Sequence, residues 1–296
     1  MRQINSQLVR SATGSQIILG DYDSLGVANE TIKGKVLSFL DDSRFVDAIN
    51  SNACIKGAFV REQDAAQLSP GIEKIIVDDP KWYFFSIVNY LGRYRQRPPT
   101  SISAKAVVHS SATIAPQGVV IEDGAVVEAG AIILPDVTVC RGALIRAGAV
   151  LGGDGYEHKR TSRGILSVVH DGVVSVGQDA EIGVNTFVAK GFAYRPTIVG
   201  GESKIDALVH YAHGAQCGHR CFIVAHAMIG GNVTMGNDVW IGPTACIGNR
   251  LTIGDNAFIT MGSVVTRDVP PGGKVTGNFA IPHSVFLRNL KNSVHD

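Results

Sequence analysis

The stretch Val119–Leu151, VVIEDGAVVEAGAIILPDVTVCRGALIRAGAVL, repeats every six residues. Large aliphatic residues fall at Ile121, Val127, Ile133, Val139, Ile145 and Leu151. Four places after them come Ala125, Ala131, Val137, Ala143 and Ala149. An amphipathic helix would repeat near 3.6 residues and a simple strand at 2. A period of six, with one large and one small inward residue, describes short strands joined by tight turns. Three such units make one triangular coil of 18 residues. The large side chains fill its axis and the small ones fit near its corners. Coils of this kind stack backbone to backbone at ~4.8 Å.

The register extends both ways from this stretch. Towards the N-terminus it reaches Ile102, Val108 and Ile114, with one extra residue before Ile121. Towards the C-terminus it breaks at GGDGYEHKRTSRGILSVVHDG (152–172), returns at Val176, Ile182 and Val188, and breaks again at GFAYRPT (191–197). It then runs without interruption from Val199 to Val265. The count is 24 units, or eight coils, a prism ~38 Å long at that spacing. The fold expected is mainly β: a parallel β-helix over residues 100–280, a quasi-one-dimensional solenoid that needs covering at its ends.

Residues 1–99 lack the period. VLSFLDDSRFVDAINSNACIKGAFV and KIIVDDPKWYFFSIVNYLGRY read as strand–helix–strand pieces of a small α/β domain. Asp78, Asp79 and Pro80 suit a helix N-terminus, and Phe84, Ile87, Val88 and Leu91 give that helix an apolar stripe. RQRPPTS (95–101) is a short, stiff linker. PPGGKVTGNFA closes the solenoid, and residues 281–296 are expected to hold a short terminal helix.

The 27 basic and 26 acidic residues leave a net charge of +1, which offers no electrostatic footprint for nucleic acid or an anionic membrane. The first residues have no apolar core of a secretory signal, and no run of ~18 apolar residues predicts a membrane span. Five cysteines without a framework spacing suit free thiols and a cytoplasmic setting.

KIDALVHYAHGAQCGHRCFIVAH (204–226) holds four of the nine histidines and two of the five cysteines. The register places Cys217 and Cys221 inward, so a Cys/His zinc site loses both thiolates. His210, His213, His219 and His226 all project outward. His213 has Gly231 18 residues on, directly above it in the next coil. Asn249 stands two coils above, with Arg250 beside it. A glycine there leaves a hollow beside the imidazole and an uncovered backbone N–H. A base, an N–H donor and a cation on one strip are the parts that acyl transfer needs.

The hexad solenoid resembles bacterial acyltransferases of the left-handed β-helix class, and within it the UDP-3-O-acylglucosamine N-acyltransferases. LGGDGY, KIDALVHYAHGAQCG, LSFLDDSRF, IIVDDPKWYFFSIVNYL and GNFAIPHSVFLRNL carry that resemblance, in the family's order along nearly the whole chain. The resemblance implies a left-handed coil, a uridine-binding N-terminal domain and a homotrimer. It implies His213 as general base accompanied by Asp206, and Gly231 as oxyanion donor. Asp154, Gly155 and Tyr156 would line the sugar and acyl site. Phe39 and Phe45 would hold the uracil by stacking.

Several positions depart from the family's pattern. Asp42 stands for a uracil-contacting Asn, and Phe45 for a Tyr. Arg250 stands for a phosphate-associated His, Lys190–Gly191 for a D-R-G, and His170 for a Gln. His170, Lys190, Asn249 and Arg250 complete the expected substrate-binding set. The reaction implied moves an acyl group, a 3-hydroxyacyl from acyl carrier protein, to the amine of a UDP-glucosamine derivative in lipid A synthesis. No metal or redox cofactor is implied; the thioester is a co-substrate. Two alternatives stand beside it. One is an acyltransferase of surface polysaccharide using acetyl-CoA or a short acyl-CoA; the other is a catalytically silent scaffold.

Overall fold

The structure, a computed structural model, describes residues 3–30, 32–277 and 280–293. Asn278 and Phe279 of the expected closing segment lie outside the described residues, as do Val294–Asp296 of the expected terminal helix.

Residues 101–275 wind into three parallel sheets of eight, eight and nine short strands. Each strand pairs with the strand 18 residues on wherever the period is unbroken, as Cys217 does with Met235 and Ile223 with Ile241. The inward positions fill the axis. Ile133, Val139, Ile145 and Leu151 are fully buried, and Ala125, Ala131, Ala143 and Ala149 close the corners. Cys217 and Cys221 face this core, as the register predicts. A strand at Lys274–Val275 adds one unit beyond the last hexad counted. The first coil is less covered than its pattern implies: Ile102 is 45% exposed, because only one neighbouring coil packs against it.

The breaks in the period share one location. The extra residue near 115–118, the insertions at 152–172 and 191–197, and the 266–273 segment all follow strands of a single sheet, Thr113–Ile114, Val150–Gly153, Phe187–Ala189 and Val264–Val265. They therefore leave the coil at one edge of the prism. His213, Gly231 and Asn249 also follow strands of that sheet, His210–Tyr211, Met228–Ile229 and Cys246–Ile247, and so stand on the same edge.

The N-terminal unit is a four-stranded parallel sheet in sequential order, Ser24–Leu25, Val36–Phe39, Ile55–Val60 and Glu73–Ile76. Its helices are Ser6–Thr13, Val46–Ser51 and Pro80–Arg93. Pro80 opens the last of these, and the Asp79 carboxylate accepts a hydrogen bond from Trp82 N–H at 3.0 Å. Phe84, Ile87 and Val88 are buried.

The first insertion is a β-hairpin, His158–Thr161 paired antiparallel with Gly164–Ser167. It folds back onto that helix. The second carboxylate oxygen of Asp79 accepts from the Ser162 backbone N–H (2.6 Å) and hydroxyl (2.7 Å) at the hairpin tip. The Arg163 guanidinium lies 4.1 Å over Trp82, and the Lys159 ammonium 4.5 Å over Phe85. Val168 and Phe192, from the two insertions, complete the apolar core of the N-terminal unit. The terminal helix His283–Ser293 buries none of its residues.

Asp79 thus joins helix, hairpin and solenoid edge through one carboxylate. Asp79→Ala removes a helix cap and two hydrogen bonds to a charged acceptor, a loss of roughly 2–4 kcal/mol. Urea unfolding followed by circular dichroism is expected to show that loss. An unchanged midpoint would mean that the hairpin is held by its aromatic contacts alone.

Candidate active site

His213 stands on the prism edge but is not solvated. Its exposure is 8%, which corrects the outward, surface reading. The direction is outward from the coil; the insertions then cover it. His210, His219 and His226 remain exposed, as the register predicts. Gly155 and Gly231 press on the imidazole from two sides. A Cβ at Gly231 would come within 2.7 Å of His213 Nε2, and one at Gly155 within 3.2 Å of its Cβ and Cδ2. A side chain at Gly231 would displace the ring, and one at Gly155 would press closely on it. Phe192 meets the imidazole edge-on at 5.6 Å, and His170 does so at 5.2 Å.

His213 Nδ1 is buried without a hydrogen-bond partner. Nε2 faces Glu157, whose Oε2 lies 3.4 Å away. Burial pushes the His213 pKa below the ordinary histidine value. Glu157 opposes that shift, while Lys159, His210 and Arg250 reinforce it. The ring is therefore neutral near pH 7, the form in which a histidine accepts a proton.

The Gly231 N–H is not bare, contrary to the sequence expectation. It donates to Asn249 Oδ1 at 2.8 Å. A glycine opens the backbone, but the coil above supplies a side chain that spans the gap. Asn249 and Arg250 are themselves exposed. Arg250 lies at a left-handed turn position with φ 63°, its N–H bonded to the Gly231 carbonyl at 2.9 Å.

Asp206 does not accompany the base. Its carboxylate accepts from Ala207 N–H (2.7 Å) and from Ala225 N–H in the next coil (3.2 Å). Seven residues is one hexad and one step, so Asp206 follows a strand of a different sheet, Lys204–Ile205, and stands at another corner. The carboxylate beside His213 is Glu157.

His170 is fully buried, so in this chain it makes a wall and offers no surface to a substrate. It stacks on Phe192 at 4.5 Å, and neither ring nitrogen has a hydrogen-bond partner. Burial, aided by the charges of His213 and Lys190, lowers its pKa from 6.5 to about 3. Lys190 is buried too, its ammonium 3.9 Å from both Asp136 and Asp154. Burial lowers its pKa, and the two carboxylates oppose the shift. Asp154 is half-exposed and links Lys190 to the glycine loop over His213. Tyr156 is 88% exposed, and its ring meets that of His158 at 4.7 Å.

The residues expected to hold uracil are not brought together. Phe39 packs on Phe84 and Phe85, on the sheet face that carries Leu37. Phe45 packs on the opposite face, with Val36 and Leu40. Asp42 is held by its own Arg44 in a bidentate pair. Phe39 ends strand 36–39, whereas Phe45 lies beyond it in the short 3-10 helix Ser43–Phe45, which turns to the other side of the sheet.

Glu157, Phe192 and Arg195 are site residues that the sequence reading did not name. Arg195 donates to the carbonyls of Gly214 and Asn232 and to Thr234, and it pairs with Glu30 of the N-terminal unit at 3.3 Å. All three residues lie in or beside breaks in the hexad. The shared edge of those breaks was the available signal. A cavity of about 720 Å³ lies between Val88 and Leu91 of the long helix and Phe192 of the second insertion.

The bacterial transferase hexapeptide (six repeats) family matches residues 118–153 and 232–267. A UDP-3-O-acylglucosamine N-acyltransferase of Methylobacterium sp. is 35% identical over 147 residues, 50% of this chain and 42% of the relative. One of Bordetella pertussis is 35% identical over 166 residues, 52% of this chain and 46% of the relative. The chain spans a little under half the length of these curated relatives. The alignments thus support the family resemblance over half of the chain rather than nearly all of it. Among solved structures, a UDP-N-acetylglucosamine O-acyltransferase from Moraxella catarrhalis superposes with a TM-score of 0.41 at 18% identity, covering 65% of this chain and 76% of that one. The three parallel sheets and the six-residue period agree with the bacterial transferase hexapeptide repeat.

His170 has a measurable consequence. Unfolded, it takes a proton below pH 6.5; folded, not until about 3. The unfolded state binds more protons between those values, so stability falls as pH drops through that window. His170→Gln is expected to flatten the dependence of the urea midpoint on pH between 6.5 and 4. An equal slope in both proteins would place the acid sensitivity in other groups.

Proposed function

We propose that this chain is an acyltransferase that moves an acyl group from a thioester carrier to the amine of a UDP-glucosamine derivative, with His213 as general base. The observation that carries the reading is a neutral, nearly buried imidazole at an insertion-built edge, with Gly231 against its Nε2 and Gly155 against its Cβ and Cδ2. The likeness to UDP-3-O-acylglucosamine N-acyltransferases supports the substrate class. The donor proposed is a 3-hydroxyacyl chain on acyl carrier protein and the setting lipid A synthesis, as the resemblance of the sequence motifs implies.

In this reaction His213 Nε2 takes the proton as the amine attacks the thioester carbon. The oxyanion forms against the Gly231 N–H after the exposed Asn249 side chain turns aside. Arg250, at the rim, attracts substrate phosphate. The carbon–sulfur bond then breaks, and His213 returns the proton to the departing thiolate. A general base contributes about 10²–10⁴ in rate and an oxyanion donor about 10²–10³.

A second reading keeps the base but changes the substrates: transfer from acetyl-CoA or a short acyl-CoA to a nucleotide sugar of surface polysaccharide. The placement of Phe39 and Phe45 on opposite sheet faces favours it. Mass spectrometry of products separates the two. One mixture holds UDP-3-O-acylglucosamine with hydroxyacyl carrier protein; the other holds amino-sugar nucleotides with acetyl-CoA. A long-chain amide formed only in the first supports the first reading.

The assembly proposed is a homotrimer with sites between subunits. Phe222, Trp240 and Phe258 form an exposed aromatic column on one solenoid face, with centroid spacings of 5.9 and 5.7 Å. Leu208 and Met261 extend it around the corner, at 48% and 60% exposure. An apolar surface of this kind is stabilised by a partner.

Three measurements test these points. His213→Ala is expected to lower kcat by about 10²–10⁴ with the circular dichroism spectrum intact. The wild-type rate is expected to fall with decreasing pH only below the ordinary histidine value, because burial lowers the His213 pKa. An acid limb at or above 6.5 would take the base role from His213. In sedimentation at micromolar concentration the protein is expected at three times the chain mass, and a monomer would rule out sites shared between subunits.

A further inference from the structure

We propose that Glu157 selects an amine, rather than a hydroxyl, as the acyl acceptor; the inference rests on the reading of His213 as base. His213 Nδ1 is sealed inside the fold, so Nε2 is the nitrogen available to an acceptor. Gly231 closes one side of Nε2, and Glu157 Oε2 stands 3.4 Å from it on the hairpin side. An acceptor atom within hydrogen-bond reach of Nε2 therefore also lies beside a carboxylate oxygen. The other oxygen, Oε1, is paired with Lys159 of the same hairpin. The Glu157 side chain is only 18% exposed, so water replaces a missing partner poorly.

Proton count then discriminates between acceptors. A neutral amine has two protons, one for Nε2 and one for Oε2, and an ammonium adds a favourable charge. A hydroxyl has one. It satisfies the base or the carboxylate and turns a lone pair towards the group left over. A site built to receive a polar hydrogen rejects an analogue that lacks it, because its own buried acceptor stays unpaired.

The acceptor arrives as an ammonium and loses its first proton to water while held by Glu157. The nitrogen bonds to the thioester carbon as Nε2 takes the second proton. The carbon–sulfur bond breaks, the sulfur receives the proton from Nε2, and a free thiol leaves with the amide formed. Glu157 is unchanged throughout.

The hairpin has a matching role. It carries Glu157 to the edge, and Asp79, Trp82 and Phe85 of the long helix hold it there. The selecting group is thus set by the N-terminal unit and not by the hexad repeat.

The test uses the full chain and two acceptors that differ at one atom: the amino-sugar nucleotide turned over in the assay above, and its counterpart with a hydroxyl in place of the amine. Glu157→Gln is expected to lower kcat/KM for the amine about 10–100-fold, mainly through KM, and for the hydroxyl counterpart by a smaller factor that falls on kcat, because the carboxylate also holds up the His213 pKa. Calorimetric binding of the two nucleotides is expected to show the same selective loss. Glu157→Asp, which keeps the charge, is expected to retain preference for the amine, and circular dichroism reports folding of both variants. An unchanged amine-to-hydroxyl ratio in a folded, active Glu157→Gln protein overturns the role of Glu157 and leaves His213 as base. A wild-type protein that acylates neither acceptor overturns the underlying reading as well.

Discussion

The inward stacking of one large aliphatic per strand, coil upon coil, is the constraint on which everything else here depends. Ile133, Leu151, Val188, Tyr211, Ile229 and Ile247 form one such column, each at 1% exposure or less. Any insertion inside a strand would shift every later side chain to the wrong side. Departures from the period are therefore confined to corners, and in this chain to one corner. The solenoid is a rigid rack, and its single irregular edge is where chemistry can be placed.

That edge works by covering what the repeat exposes. In a plain hexad His213 would be a solvated imidazole. The 152–172 insertion lays Gly155 over the ring and brings Glu157 to Nε2, while Phe192 from the second insertion closes the side. Desolvation then lowers the pKa, and a nearby carboxylate opposes the shift. The N-terminal unit takes part without contributing a catalytic group: its long helix holds the hairpin, and its Glu30 pairs with Arg195.

Much of this was legible without coordinates. The repeat register, the inward cysteines, the helix opened by Asp79–Pro80 and the alignment of His213 with Gly231 follow from spacing, because a strict period ties sequence number to direction. What was not legible lay where the period stops and in side-chain partners that the period does not fix. Asp206 was assigned to the base by resemblance, yet one hexad and one step carries it to a different corner. Phe39 and Phe45 are expected in one site, yet Phe39 ends a strand and Phe45 sits in the short 3-10 helix after it, on the other side of the sheet. The Gly231 N–H reads as free from the spacing, but the partner that spans it comes from the next coil.

The sequence by itself therefore determined the β-helix, its register and the coil-to-coil neighbours of each residue, since local periodicity and backbone pairing leave one arrangement. Only the tertiary structure decided that His213 is buried, that Glu157 is its carboxylate and that His170 is a wall. Those outcomes depend on how two non-repeating insertions fold back against a separate domain. Contacts between such segments are set by side-chain packing over long chain separations, for which no period exists to be read.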